Sequence, residues 1–324
     1  MRTLTFAVVA AIALSTAVAR AQQVIGIGTN PQGSITYPVG AAIAKVLQEK
    51  AAMPARVMPS AGSSTNIPLL NSGELDLSLM TVDDTEPSFK GTEDFQGKPN
   101  PNIRLVGAVF PMSVAMLVVK DSPFKTIADL KGARVPSEFP GHTGGRKITV
   151  AVLAAAGLSY ADVKGIPATN LFQGTSLLGQ DKVDGAVISV GAATVQQANL
   201  DLAAKGGVRY ISVDDSPAAQ TTLKSLYPGG YIETFDPAPG RFGILAPTKV
   251  LSFSQFVAAA SKLPEETVYK ITKAIHDNKQ MLADAAPPMR RFEPADMAEK
   301  NPVPYHPGAE KFYREAGLWP PKER

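Results

Sequence analysis

Val24-Ile25-Gly26-Ile27-Gly28-Thr29-Asn30-Pro31-Gln32-Gly33-Ser34-Ile35-Thr36-Tyr37-Pro38-Val39-Gly40 is the stretch on which the reading of the fold turns. Val24, Ile25 and Ile27 are β-branched residues of a short strand. Gly28 to Ser34 is a loop of small residues that lets a ligand approach the backbone closely. Pro38 suits a first helical turn, where its missing N–H costs nothing. Val39, Ile43, Val46 and Leu47 then recur at helical spacing. A helix start directs unpaired N–H groups and a positive dipole end into the loop before it. Strand, loop and helix together form a geometry suited to a small anion such as a carboxylate.

The same pattern recurs further along. Ala61-Gly62-Ser63-Ser64-Thr65-Asn66 precedes a helix in which Ser63 or Ser64 is the expected cap and Gly73 the C-terminal stop. Leu75, Leu77 and Leu79 alternate as a strand, with Thr81-Val82-Asp83-Asp84 at its carboxyl end. Pro140-Gly141-His142-Thr143-Gly144-Gly145 is a third such loop, followed by a helix over 146–156 that Gly157 ends. Ile103 to Val109 and Val114 to Val119 read as two strands on either side of Phe110-Pro111-Met112-Ser113. Further strands are expected at Val183 to Val190, Val208 to Val213 and Phe242 to Leu245, the last as the return to the first domain. Pro217 to Gly240 reads as turn-rich. Pro264-Glu265-Glu266 opens a helix with Val268, Ile271 and Ile275 on one side, and a last helix starts near Pro307 and is docked by Phe312. Alternating strands and helices imply an α/β fold with mostly parallel pairing. Helix starts that converge on one crevice are the usual layout of ligand sites in such sheets.

A chain of 324 residues with 44% apolar content can bury the cores of two compact domains. The formal charge of +3 is spread without a basic block, which argues against a nucleic-acid partner. Residues 1–21 combine a basic start, an apolar run and Ala19-Arg20-Ala21, the pattern of a cleavable secretory signal peptide, and so predict export to the periplasm. Removal of Arg2 and Arg20 with it would leave +1. No later segment is long and apolar enough to span a bilayer. The absence of cysteine removes disulfides, thiol catalysis and Cys-ligated metals from consideration.

Familiar chemical motifs fail on inspection. Gly28-x-x-x-x-Gly33 is followed by Ser34-Ile35 where a phosphate loop requires Lys-Ser/Thr, and Pro31 stands where a dinucleotide fingerprint needs its third glycine. His142, His276 and His306 share no metal-ligand spacing, so no metal or cofactor is expected. His276 and His306 read as surface or capping residues. Ser63 or Ser64 with His142 and Asp83 offers a hydrolase triad on paper, but no G-x-S-x-G elbow surrounds either serine. Asp83 and Asp84 are either paired acid–base carboxylates or caps of a turn at the strand end, and the second reading is preferred. Arg146 and Lys147 either balance a ligand carboxylate or form a solvated helix face. Tyr37 either stacks on a ligand or belongs to the core.

These residues resemble the TAXI family, the extracytoplasmic solute-binding proteins of one class of TRAP transporter. The resemblance is carried by Gly28-Thr29 through Gly33 to Lys45, by Gly62 to Ile67 with Leu70 to Leu77, by Ala128 to Val135, by Ala155 to Val163, and by Leu263 to Tyr269 with Pro304 to Tyr313. It implies a type II-like periplasmic-binding-protein fold with discontinuous lobes joined by a hinge. The lobes would take residues 22–120, then 121–240, with 241–324 returning to the first. It also implies a non-enzymatic, monomeric receptor that closes on a small organic acid or acidic amino acid, glutamate- or 2-oxoglutarate-like, and hands it to membrane permease subunits. The expected ligand-binding residues are Thr29, Asn30, Gly33, Ser34, Thr36 and Tyr37 in the first loop, and Ser63, Ser64 and Asn66 in the second. Asp83 follows, then Gly141, His142, Thr143 and Gly144, and finally Ser189. Asn30-Pro31-Gln32 replaces the Gly/Ser/Thr run usual in the family, and His142, Arg146 and Lys147 stand where small or acidic residues are more familiar. These departures bear on the ligand rather than the fold. The competing functions are a secreted serine hydrolase and a periplasmic ligand sensor of the same fold.

Overall fold

The computed structural model describes residues 24–323, so the expected signal peptide lies outside the described residues. The first half of the molecule begins with β1 (Ile25–Thr29), α1 (Thr36–Ala51), β2 (Ala55–Pro59), α2 (Ser63–Ser72), β3 (Leu77–Thr81) and α3 (Val82–Lys90). The long β4 (Ile103–Val119) leads away to β5 (Arg134–Glu138), α4 (Thr143–Ala155), β6 (Lys164–Ala168), α5 (Leu171–Gly179) and β7 (Gly185–Ser189). These are followed by α6 (Ala193–Asp201), β8 (Val208–Ile211), α7 (Pro217–Leu226) and β9 (Gly230–Phe235). The second long strand, β10 (Thr248–Ala260), leads back to α8 (Glu265–Asp277), α9 (Lys279–Ala285) and α10 (Pro307–Glu315).

Among the described residues one eight-stranded sheet runs β2-β1-β3-β10-β4-β7, with β8 on β4 and β9 on β10, while β5 and β6 form a separate parallel pair. The expected predominance of parallel pairing is not met. β1 pairs parallel with β2 and β3, but β10 is antiparallel to β3, β4 and β9, and β4 is antiparallel to β7 and β8. The two long strands are the cause. β4 lies beside β10 over its first part and beside β7 and β8 over its last. β10 pairs with β3 at one end and with β9 at the other. Both halves therefore share the same two strands, which gives the mixed α/β, two-lobed periplasmic-binding-protein arrangement.

The core follows the apolar periodicity. Ile27, Leu77, Leu105 and Phe256 are buried in one half, and Val135, Val152, Leu178 and Ile188 in the other. Val39, Ile43, Val46 and Leu47 bury the inner face of α1, which packs on α8 and α9. Val268, Ile271 and Ile275 do the same for α8. His306 caps α10 as expected, its Nδ1 accepting from the Gly308 N–H at 3.2 Å, and Phe312 is buried beneath that helix.

Several elements differ from the sequence reading. Pro111 does not divide β4: it stands opposite Ser254 in the β4–β10 register, and β7 joins the other edge of β4 only from Val114 onward. Phe242 and Leu245 are exposed and outside any strand, and the return runs instead through Thr248–Ala260. Pro217 to Gly240 contains α7 and β9, with Ser216 capping α7 by accepting from the Ala219 N–H at 3.3 Å. Asp83 and Asp84 cap no turn but open α3 as buried residues. The helix expected over 146–156 starts one turn earlier, at Thr143.

Candidate functional site

Five helix starts meet where the halves face each other. Ile35 and Thr36 begin α1, Ser63 begins α2, Asp84 lies in the first turn of α3, His142 precedes α4, and Leu171 and Phe172 begin α5; all line one enclosed chamber. Ser189 at the end of β7 and Met112, Val114 and Gln255 on the long strands complete it. Its volume is about 20 Å³, room for roughly one water. That is far below the ~300 Å³ at which ordinary ligand clefts begin, so the halves are drawn together here.

Of the residues expected at the site, Asn30, Ser34, Thr36, Ser63, His142 and Ser189 line the chamber. Ser34 organises the first loop: its Oγ accepts from the Tyr37 N–H at 3.2 Å and lies 3.2 Å from Thr36 Oγ1. Thr36 Oγ1 also accepts from the Asn30 N–H at 3.1 Å. Thr29 and Asn66 stand behind the lining, Asn66 Nδ2 donating to the Thr29 carbonyl at 3.1 Å. Ser189 Oγ is directed at Met112 Sδ, 3.4 Å away. Tyr37 is half-buried on α1 and is not among the lining residues.

A second group of expected residues joins the halves. Ser64 does not cap α2, whose cap is Gly62. Its Oγ donates to Thr143 Oγ1 at 3.3 Å and accepts from the Thr143 N–H at 3.2 Å, across the gap between α2 and α4. Gly62 and Gly141 allow this approach. A Cβ on Gly62 would stand 2.7 Å from the Gly141 carbonyl oxygen, and one on Gly141 would stand 2.7 Å from Ala61 Cβ. Gly144 packs against Asp84, whose Oδ2 would lie 2.8 Å from an added Cβ. Gly33 meets α6, its carbonyl accepting from the Thr194 N–H at 3.5 Å.

The electrostatics separate the two aspartates. Asp84 faces the chamber and accepts from Thr81 Oγ1 at 2.9 Å. Burial raises its pKa to about 6, against the opposing help of Thr81 and Ser63. Asp83 faces a different cleft, with Lys147 Nζ 3.9 Å away. Burial, and then the charge of Asp84, raise its pKa to about 7, while Lys147 pulls the other way. Lys147 is held by Glu93 at 2.8 Å, so it lies outside the chamber. Burial depresses His142 to about 4, so its imidazole is neutral, stacked on Phe172 with ring centres 5.9 Å apart.

Two buried polar atoms lining the chamber have no hydrogen-bond partner, His142 Nδ1 and Gln255 Nε2, while Ser63 Oγ is turned toward Asp84. Such groups are costly to leave bare, and a polar guest would satisfy them. The hydrolase triad is not assembled. His142 Nδ1 is not oriented by any carboxylate, and Asp83 points to Lys147 instead. Sequence reasoning missed Asp84 and Gln255 as lining residues. Asp84 stood beside a chosen residue, and only the helical turn of α3 decides which of the two faces inward. Gln255 lies in a strand that was not recognised.

Comparison with known proteins agrees with this architecture. An ancestral arginine-binding protein, bound to arginine, superposes with a TM-score of 0.50 at 18% identity, over 81% of this chain and 96% of that one. PhnD1 from Prochlorococcus marinus (MIT 9301), in complex with methylphosphonate, superposes with a TM-score of 0.52 at 13% identity, over 91% of this chain and 98% of that one. At such identities these likenesses concern the fold. The sequence profile of the NMT1-like family matches residues 27–317, nearly all of the described chain, and the chain belongs to that NMT1-like family.

Proposed function

We propose that the protein is an exported solute receptor that holds an amino acid between its lobes and passes it, unchanged, to the permease of a TRAP-type transporter. The observation that carries the reading is the chamber itself: closed between the halves and lined by polar atoms that have no partner of their own. A carboxylate suits the converging helix starts, whose N–H groups and dipoles favour negative charge. Asp84 is the only ionised group of its sign there, and Lys and Arg are missing from the lining among the described residues. A bare dicarboxylate would face Asp84 without a cation to balance it. An amino acid brings its own ammonium for Asp84 and leaves the carboxylate to the helix starts. The periplasmic-binding-protein fold and the resemblance to TAXI receptors support transport, and the unassembled triad argues against hydrolysis. Solved structures of similar fold include proteins holding arginine and methylphosphonate, which illustrates that fold alone does not choose the solute.

Thermal unfolding of the purified chain with a panel of amino acids and small organic acids tests this. Tm should rise with the logarithm of ligand concentration for at least one amino acid. In Asp84→Asn that shift should shrink, since about 1.5–3 kcal/mol rides on a hydrogen bond to a charged group, while the unfolding transition stays cooperative. A panel with no shift at millimolar concentration, or an Asp84→Asn response equal to the original, would sink the proposal.

A further inference from the structure

Beside the small chamber lies a much larger one, of about 630 Å³, and Ser34, Ile35 and Met112 form a wall common to both. We propose that this outer chamber is a second part of the solute site and takes a side-chain end bearing a carboxylate on an apolar, planar body. This deepens the reading above, on which it rests for the placement of the amino-acid head in the inner chamber.

The charge of the outer chamber is one-sided. Its ionisable lining residues are Arg241, Arg290 and Arg291, with no carboxylate among them. Arg291 is committed, Nη2 donating to Glu233 at 2.7 Å and Nη1 to Ser113 Oγ at 2.9 Å. Arg241 and Arg290 have no carboxylate partner among the described residues. Arg241 uses one donor, on the Asp236 carbonyl at 3.0 Å. Its guanidinium lies 4.1 Å from the centre of the buried Phe235 ring, whose other neighbour is Arg291 at 5.2 Å. A guanidinium held on a ring is fixed in place and still offers its remaining N–H groups, the fork that matches a carboxylate. The other walls are apolar and rich in rigid rings, with Phe110, Pro111, Pro287 and Pro288 among them. A flat apolar body fits such walls, and the volume falls within the range of ordinary small-molecule sites.

Calorimetric titration of the purified chain with 4-carboxyphenylalanine, phenylalanine and benzoate is the test, repeated on Arg241→Gln/Arg290→Gln. The carboxylated amino acid should bind the original chain at least about tenfold more tightly than phenylalanine. In the double variant the ratio of the two affinities should fall to about one. Equal affinities for the two amino acids, or an advantage that survives in the variant, would overturn the proposal and leave the inner-chamber reading standing. Binding of benzoate alone, lost in the variant, would keep the outer subsite and remove the amino-acid head. If none of the three binds, the outer subsite falls, and the inner-chamber reading is decided by the wider amino-acid panel of the thermal test.

Discussion

Asp83 illustrates how one buried side chain sets a pH response. Its carboxyl has been taken from water, with a second buried acid beside it, and it holds its proton to about pH 7. A folded-state pKa above the unfolded value of 3.8 means that the native chain binds the proton more tightly. The stabilisation is therefore complete below pH 3.8 and is lost as pH rises through about 7. Asp84 adds a second loss with the same sign, through about 6. His142 works oppositely: its depressed value gives stability that is full above 6.5 and lost as pH falls through about 4. Replacing Asp83 by the neutral Asn should remove the first of these. We expect Asp83→Asn to unfold at a higher temperature than the original at pH 8, by an amount equivalent to roughly 1–3 kcal/mol. The gap should narrow toward pH 5, where Asp83 is already protonated. Lys147 keeps its bond to Glu93 in the variant. Chemical denaturation across pH 5–8 measures this, and a constant gap would contradict the assignment.

At the scale of elements, closure rests on how nearly α2 and α4 can touch. Their starts approach over Gly62 and Gly141 and are tied by the paired Ser64–Thr143 hydrogen bonds. Gly62→Ala would drive a methyl group into the Gly141 backbone, and Gly141→Ala would drive one into Ala61. Both enlarge the same contact. Each should therefore weaken solute binding about tenfold or more; Gly141→Ala should leave Tm of the ligand-free chain within a few degrees, whereas Gly62→Ala, at a φ of +156°, should also lower it. The double variant should cost less than the sum, because one separation of the helices relieves both clashes. Additive losses would mean that the glycines act independently. These helix starts were legible in the sequence, since small-residue loops before apolar 3.6-residue patterns mark them locally at Gly28–Ser34, Gly62–Ser64 and Gly141–Thr143. The long strands were not. Pro111 carries the signature of a strand end, and Ser252, Ser254 and Gln255 dilute the apolar character of β10, whose burial comes from neighbours distant in the chain. The site was legible to the same extent. Residues at helix starts were found, while Gln255 and the inward-facing member of the Asp83–Asp84 pair depended on a strand and a helical phase that only the tertiary fold supplies.

For the whole molecule, the decisive quantity is the small free volume between the lobes. A chamber of about 20 Å³ cannot admit an amino acid, so the proposed receptor function requires a state in which the halves separate, with the solute favouring closure by the contacts it makes there. The chain has no cysteine of its own, which makes the clasp open to a clean test. Ser64 Oγ and Thr143 Oγ1 lie 3.3 Å apart, close enough for a disulfide after small adjustment if both become cysteine. Oxidation of Ser64→Cys/Thr143→Cys should hold the lobes together. Stopped-flow fluorescence should then show solute association at least about tenfold slower than in the reduced form, with release slowed as well, and reduction should restore both rates. Should the oxidised protein take up solute as fast as the reduced one, the route to the chamber would not run between α2 and α4, and closure at this clasp would play no part in capture.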